Sequence, residues 1–116
     1  MNNDNTLKNL DIITVIDDIK KYLIAEKLDK DNETINYLIF NHILINTINR
    51  VNRQDNNVKE EIIAKLRSYC HKNISNYQKK EFYKNISLKR KLIAFLNYNK
   101  MHNISKKLLS IKKKMR

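Results

Sequence analysis

Apolar residues recur along this chain every three to four positions, the repeat of helices that bury one face. Over residues 10–28, Ile12, Ile16, Ile19 and Leu23 fall within a narrow arc, and Asp17 and Lys21 form an acid-before-base pair one turn apart outside it. Asn9 stands where an N-cap belongs, and Asp11 lies in the first turn, where the helix dipole favours an anion. A polar break, Asp29 to Asn32, leads into a second predicted helix over 33–53. Its Ile35, Leu38, Ile39, Ile43, Leu44, Ile45, Ile48 and Val51 are spread around much of the circumference, which predicts a central position in the fold.

After a break at Gln54 to Asn56, the phrase Asn57-Val-Lys-Glu60 has the form of a capping box and predicts a third helix, with Ile62, Ile63, Leu66, Tyr69 and Cys70 as its buried stripe. Ser75-Asn-Tyr-Gln78 repeats the capping-box form, so a break or kink is expected there. Leu88, Leu92, Phe95 and Leu96 mark a short basic helix after Ser87, and Met101, Ile104, Leu108, Ile111 and Met115 mark a last one. In that last helix Ile104, Leu108, Ile111 and Met115 lie within about 60° of one another. Lys107, Lys112 and Lys114 flank them, with Lys106 and Lys113 opposite. Two structures fit this layout, an interfacial amphipathic helix and a helix packed on the edge of a small domain.

With 116 residues the chain fits one domain, in which 1–8 reads as a flexible or connecting segment and 87–116 as basic C-terminal helices. Glycine and proline are both absent, which removes the usual residues of hairpin turns and argues against β architecture. Asn and Asp are the remaining turn-formers, and they fall between the periodic segments. The expected fold is therefore all-α, a compact bundle of about four to six helices with no sheet. Cys70, the single cysteine, excludes an internal disulfide and fits a reducing, cytoplasmic setting. The longest uncharged stretch, 34–49, carries Asn36, Asn41, Asn46 and Asn49, so no membrane span is expected.

The net charge of +12 is unevenly placed. Residues 1–58 hold seven Lys and Arg against nine Asp and Glu, while residues 59–116 hold seventeen against three. No acidic residue follows Glu81. Lys89, Arg90 and Lys91 crowd the first turn of their helix, the end where the dipole disfavours cations by a few tenths of a kcal/mol each, about 0.3 or more. An anionic partner (phosphate, a lipid headgroup or nucleic acid) or a neighbouring acidic face compensates such a placement, and simple solvation of the lysines is the plainer alternative. Tyr69, Tyr77, Phe82, Tyr83, Phe95 and Tyr98 are interleaved with basic residues, which suits base stacking or, at helical spacing, a core.

Catalytic chemistry finds little support. Asp29-Lys-Asp31 matches the Asp-x-Asp pattern of divalent-cation sites, but it lies between helices, where Asp serves as a cap. Cys70 and His71 are adjacent, and His42 and His102 are distant in sequence, so no zinc-site spacing exists. Adjacent helical residues point about 100° apart, which makes Cys70 and His71 a poor nucleophile–base pair. A chain without glycine has no Gly-rich phosphate loop. No catalytic residue, metal site or cofactor is expected.

The colinear phrases Leu7-Lys-Asn-Leu-Asp-Ile, Asp17-Asp-Ile-Lys-Lys-Tyr, Tyr69-Cys-His-Lys-Asn and Ser87-Leu-Lys-Arg-Lys-Leu-Ile-Ala-Phe-Leu, with the Lys-rich end, carry a resemblance. Over nearly its whole length the chain resembles the C-terminal helical region that follows the catalytic domain in bacterial family 2 glycosyltransferases of capsule, teichoic acid and lipopolysaccharide assembly. The resemblance implies a non-catalytic accessory piece whose partners are the parent's catalytic domain and an anionic membrane surface or lipid-linked acceptor, peripheral at the inner face of the cell membrane. Lys89, Arg90, Lys91, Lys106, Lys107, Lys112, Lys113 and Lys114 are the candidate contacts, since each cation near an anionic leaflet contributes about 1 kcal/mol. Asp29 and Asp31 do not sit where that family's metal motif falls, so no catalytic role is carried over to them. The alternatives are a basic nucleic-acid-binding module and a helical oligomerisation protein that forms homo-oligomers, with a small enzyme last.

Overall fold

The computed structural model describes residues 6–28, 32–55 and 57–114, and residues 109–114 as backbone only. Five helices and no strand are found among the described residues. Helix α1 is Asp11–Ala25, α2 spans 33–52, α3 is Lys59–Asn73, α4 is Leu88–Tyr98 and α5 is His102–Lys114. The body measures 44 × 33 × 23 Å, and its thin dimension matches two layers of helices about 10–12 Å across.

Helix α2 is the centre, as its all-round apolar pattern predicts. Ile35, Ile39, Phe40, Ile43, Leu44, Ile48 and Val51 are all buried, and Ile62, Ile63, Leu66 and Cys70 of α3 with Ile93 and Ala94 of α4 join them in one core. The middle of α2, Ile39–Thr47, winds more widely than an α-helix, in π form. Such winding opens the hydrogen-bond ladder to side chains. The Thr47 hydroxyl donates to the carbonyl of His42, five residues back, and the Asn97 amide donates to the carbonyl of Leu44 at 2.8 Å.

Several local expectations are corrected. Asn9 does not cap α1: the chain is already helical before it, through Thr6, Leu7 and the 3-10 turn Lys8–Leu10, and Asn9 Nδ2 donates back to the Thr6 carbonyl. The Asn57 capping box does not form either. Val58 occupies the cap position of α3, and the Glu60 carboxylate is drawn to His102 instead. The break expected near Ser75 does form: α3 ends at Asn73, and the chain passes into two 3-10 turns, Tyr77–Lys79 and Glu81–Asn85. Those turns are held by rings: Tyr77, Phe82 and Tyr83 stand 5.5, 5.3 and 6.2 Å from Phe40 between centroids. Ser87 does cap α4, its Oγ accepting from Arg90 N–H at 3.3 Å.

Without glycine, the helix ends use lysine. Lys27 and Lys100 have φ of 57° and 62°, the left-handed region. At the end of α1, Leu28 N–H donates to the Leu23 carbonyl at 3.0 Å and Lys27 N–H to the Ile24 carbonyl at 3.2 Å. This is a Schellman closure, and Met101 N–H to the Leu96 carbonyl at 2.7 Å closes α4 in the same way.

Candidate functional site

Helices α4 and α5 are consecutive, pack on each other and carry most of the candidate cations. Lys89 is exposed in the first turn of α4, and Lys106 and Lys107 are exposed on α5. Arg90 and Lys91 are half-buried, and Lys91 Nζ lies 4.6 Å above the Tyr83 ring, which ties one face of this basic turn to the aromatic cluster. The side chains of Lys112, Lys113 and Lys114 lie outside the described residues, as do Asp29 and Asp31.

The apolar stripes of these two helices face outward. On α4 the buried positions are Ile93, Ala94, Leu96 and Asn97, while Leu88 is 83% exposed, Leu92 46% and Phe95 43%. Leu96 alone of the four apolar residues that mark this helix in the sequence is buried. On α5 the packed face holds His102 and Ser105, both polar, and Ile104 and Leu108 are exposed. Ile104 and Leu108 thus lie beside the packed face of α5 and not on it, and the side chain of Ile111 and the whole of Met115 lie outside the described residues.

The inward face of the same region is a polar network that sequence spacing does not reveal. Arg67 of α3 is 5% exposed; its Nε donates to the Asn97 carbonyl at 2.8 Å and its Nη2 to His102 Nδ1 at 2.7 Å. His102 Nε2 lies 2.9 Å from Glu60 Oε2, and Asn52 Nδ2 donates to the His102 carbonyl at 3.0 Å. Asn97 Nδ2 also reaches Asn49 Oδ1 at 3.0 Å. Burial lowers the pKa of Arg67, and the neighbouring Glu60 carboxylate raises it. A guanidinium only donates, so His102 accepts at Nδ1 and donates from Nε2. Both ring nitrogens are thus engaged, and His102 has none left to act on a substrate.

The other chemically active groups are similarly occupied. Cys70 is fully buried, and burial pushes its thiol well above the ordinary thiol range. His71 is exposed and turned onto Tyr98, 4.0 Å between rings, with Nε2 2.8 Å from the Tyr98 carbonyl, so Cys70 and His71 do not pair. His42 is exposed on α2, outside the core. Tyr69 is half-buried and donates to Asp17 at 2.7 Å, which makes Asp17 an inter-helix acceptor as well as a member of the polar face of α1. Among the described residues no group of three or more His, Cys, Asp or Glu is placed to hold a metal ion. Nor is any described helix long and apolar enough to cross a membrane. A shallow open depression lined by Glu33, Tyr37, Glu81 and Phe82 offers no enclosure for a substrate.

Arg67, Glu60, Asn97 and His102 were the residues sequence reasoning missed. The signal available was weak: Arg67 follows Leu66 on the apolar stripe of α3, three residues before Cys70, where a cation is out of place unless it is paired. Comparison with protein-family models, with curated proteins and with solved structures finds no match.

Proposed function

We propose that this chain is the non-catalytic C-terminal helical accessory domain of a bacterial family 2 glycosyltransferase, supporting the catalytic domain and placing it at an anionic membrane or acceptor for surface polysaccharide synthesis. The observation that carries this reading is the coincidence, on α4 and α5, of exposed cations with outward apolar side chains. A cationic, partly apolar face suits a headgroup surface, where lysine stems cover apolar ground while their charges meet phosphate. On the opposite charge half, α1 leaves Val15, Ile19 and Tyr22 exposed on one side, a face available to the catalytic domain.

Nucleic-acid binding is the second reading, supported by the seventeen Lys and Arg of the C-terminal half. It is weakened by the rings: Tyr77 is buried, and Phe82 and Tyr83 are packed around Phe40, which leaves Phe95 as the exposed ring of this set on a helix. Self-association through an outward apolar face is the third.

Sedimentation with phosphatidylglycerol-containing vesicles tests the first reading, with random-sequence nucleic acid as competitor. The wild-type chain is expected in the vesicle pellet. Lys106→Glu with Lys107→Glu, or Lys112→Glu with Lys113→Glu, is expected to release it. Binding unchanged by both reversals refutes the membrane contact, and preferential, salt-sensitive capture by nucleic acid promotes the second reading.

A further inference from the structure

Resting on the membrane reading above, we infer that α4 and α5 insert their outward apolar stripes, Leu88, Leu92 and Phe95 on one helix and Ile104 and Leu108 on the next, into the acyl boundary of an anionic bilayer, beyond contact through charge alone.

The motivating feature is apolar surface beyond what the core takes up. A helix folded only against its own domain turns its apolar residues inward and its polar residues out. Here α4 buries Ile93, Ala94 and Leu96 together with Asn97 and still exposes Leu88, Leu92 and Phe95, and α5 buries His102 and Ser105 and exposes Ile104 and Leu108. Leu88, Leu92 and Phe95 follow i, i+4, i+7 spacing and so share an arc of about 60°. Two successive helices therefore present stripes that the domain itself leaves uncovered.

Charge identifies the occupant. Lys89 and Lys91 lie on either side of the α4 stripe in helical projection, Lys107 adjoins that of α5 while Lys106 lies opposite it, and no acidic residue occurs in either helix. A flank of one sign fits a surface of the opposite sign that offers hydrocarbon just below it, which is the structure of an anionic leaflet. Helix α4 has 11 residues, about 16 Å of rise, so it lies in the interface plane and does not cross.

The chain has no tryptophan, so Phe95→Trp supplies a single indole reporter. Its fluorescence is measured with phosphatidylglycerol–phosphatidylcholine vesicles containing acyl-brominated lipid, beside the binding of wild type and of Leu88→Gln with Leu92→Gln at low and high salt. Because these positions are exposed, thermal unfolding without vesicles is expected to be unchanged. Insertion gives quenching of the indole, wild-type binding that persists in part at high salt, and binding about tenfold or more weaker for the double glutamine variant. Binding that salt abolishes entirely, with an unquenched indole and an unaffected double variant, overturns the insertion while leaving an electrostatic accessory domain standing. Absence of wild-type binding to anionic vesicles at either salt overturns both.

Discussion

Arg67 Nη2 and His102 Nδ1 meet at 2.7 Å in the interior, joining α3 to the first residue of α5. The same guanidinium holds the Asn97 carbonyl near the end of α4, and the His102 ring passes the link on to Glu60 at the domain edge. Three helices are thus fixed by one cation. Removing it leaves a buried carbonyl and an imidazole nitrogen without their donor.

Arg67→Ala is therefore expected to lower stability by about 2–4 kcal/mol, measured as urea unfolding followed by circular dichroism. His102→Ala is expected to act in the same direction, and the double variant to cost less than the two single losses added together, because both remove one shared interaction. Full additivity would show that Arg67 and His102 are not coupled.

Ser105 offers the opposite case on the same helix. Its hydroxyl is buried and has no hydrogen-bond partner among the described residues. Ser105→Ala relieves that desolvation, and the expected result is stability unchanged or raised by up to about 1 kcal/mol. A loss of more than that, read from the same urea titration, would mean that the hydroxyl is satisfied.

Lysine in the left-handed region at Lys27 and Lys100 carries a cost that glycine does not. Lys27→Gly and Lys100→Gly are each expected to stabilise the domain by about 0.5–1 kcal/mol, seen as a rise in the thermal midpoint of a few degrees, about 2–8 °C. A lowered midpoint would show that the αL closure is not held in solution.

Alkaline pH probes the core. Burial raises the pKa of Tyr77 from 10.0 to about 12, with the Tyr83 hydroxyl adding to the effect. Burial and the bond to Asp17 raise that of Tyr69, and burial raises that of Cys70. In each case the folded protein keeps a proton that the unfolded chain releases. For Tyr77 the resulting stability is complete below the unfolded value of 10.0 and is lost as pH rises through about 12. The urea midpoint is expected to fall across that interval, and less steeply for Tyr77→Phe. A flat profile would contradict the burial of these groups.

The helical architecture was legible because apolar spacing reports which backbone repeat a segment can use, and the absence of Gly and Pro left few alternatives. The placement of α2 at the centre followed from its all-round apolar surface. Which face α4 buries was not legible. Leu88, Leu92 and Phe95 form as good a stripe as Ile93 and Leu96, and the choice was made by Asn97, whose amide meets the Leu44 carbonyl and whose own carbonyl meets Arg67. Such a choice depends on partners 53 and 30 residues away, beyond any local period. Caps failed for a related reason: Glu60 belongs to a capping-box phrase in sequence and to His102 in space.

The wide winding of Ile39–Thr47 gives α2 a tolerance that α3 lacks. A π segment holds surplus chain relative to an α-helix joining the same ends, so a one-residue deletion inside it can be absorbed by rewinding to α form. The same deletion between Glu60 and Arg67 has no slack to draw on, and rotates one of those two side chains away from His102. The most apolar helix of the domain is thus the one best able to accommodate a change in length.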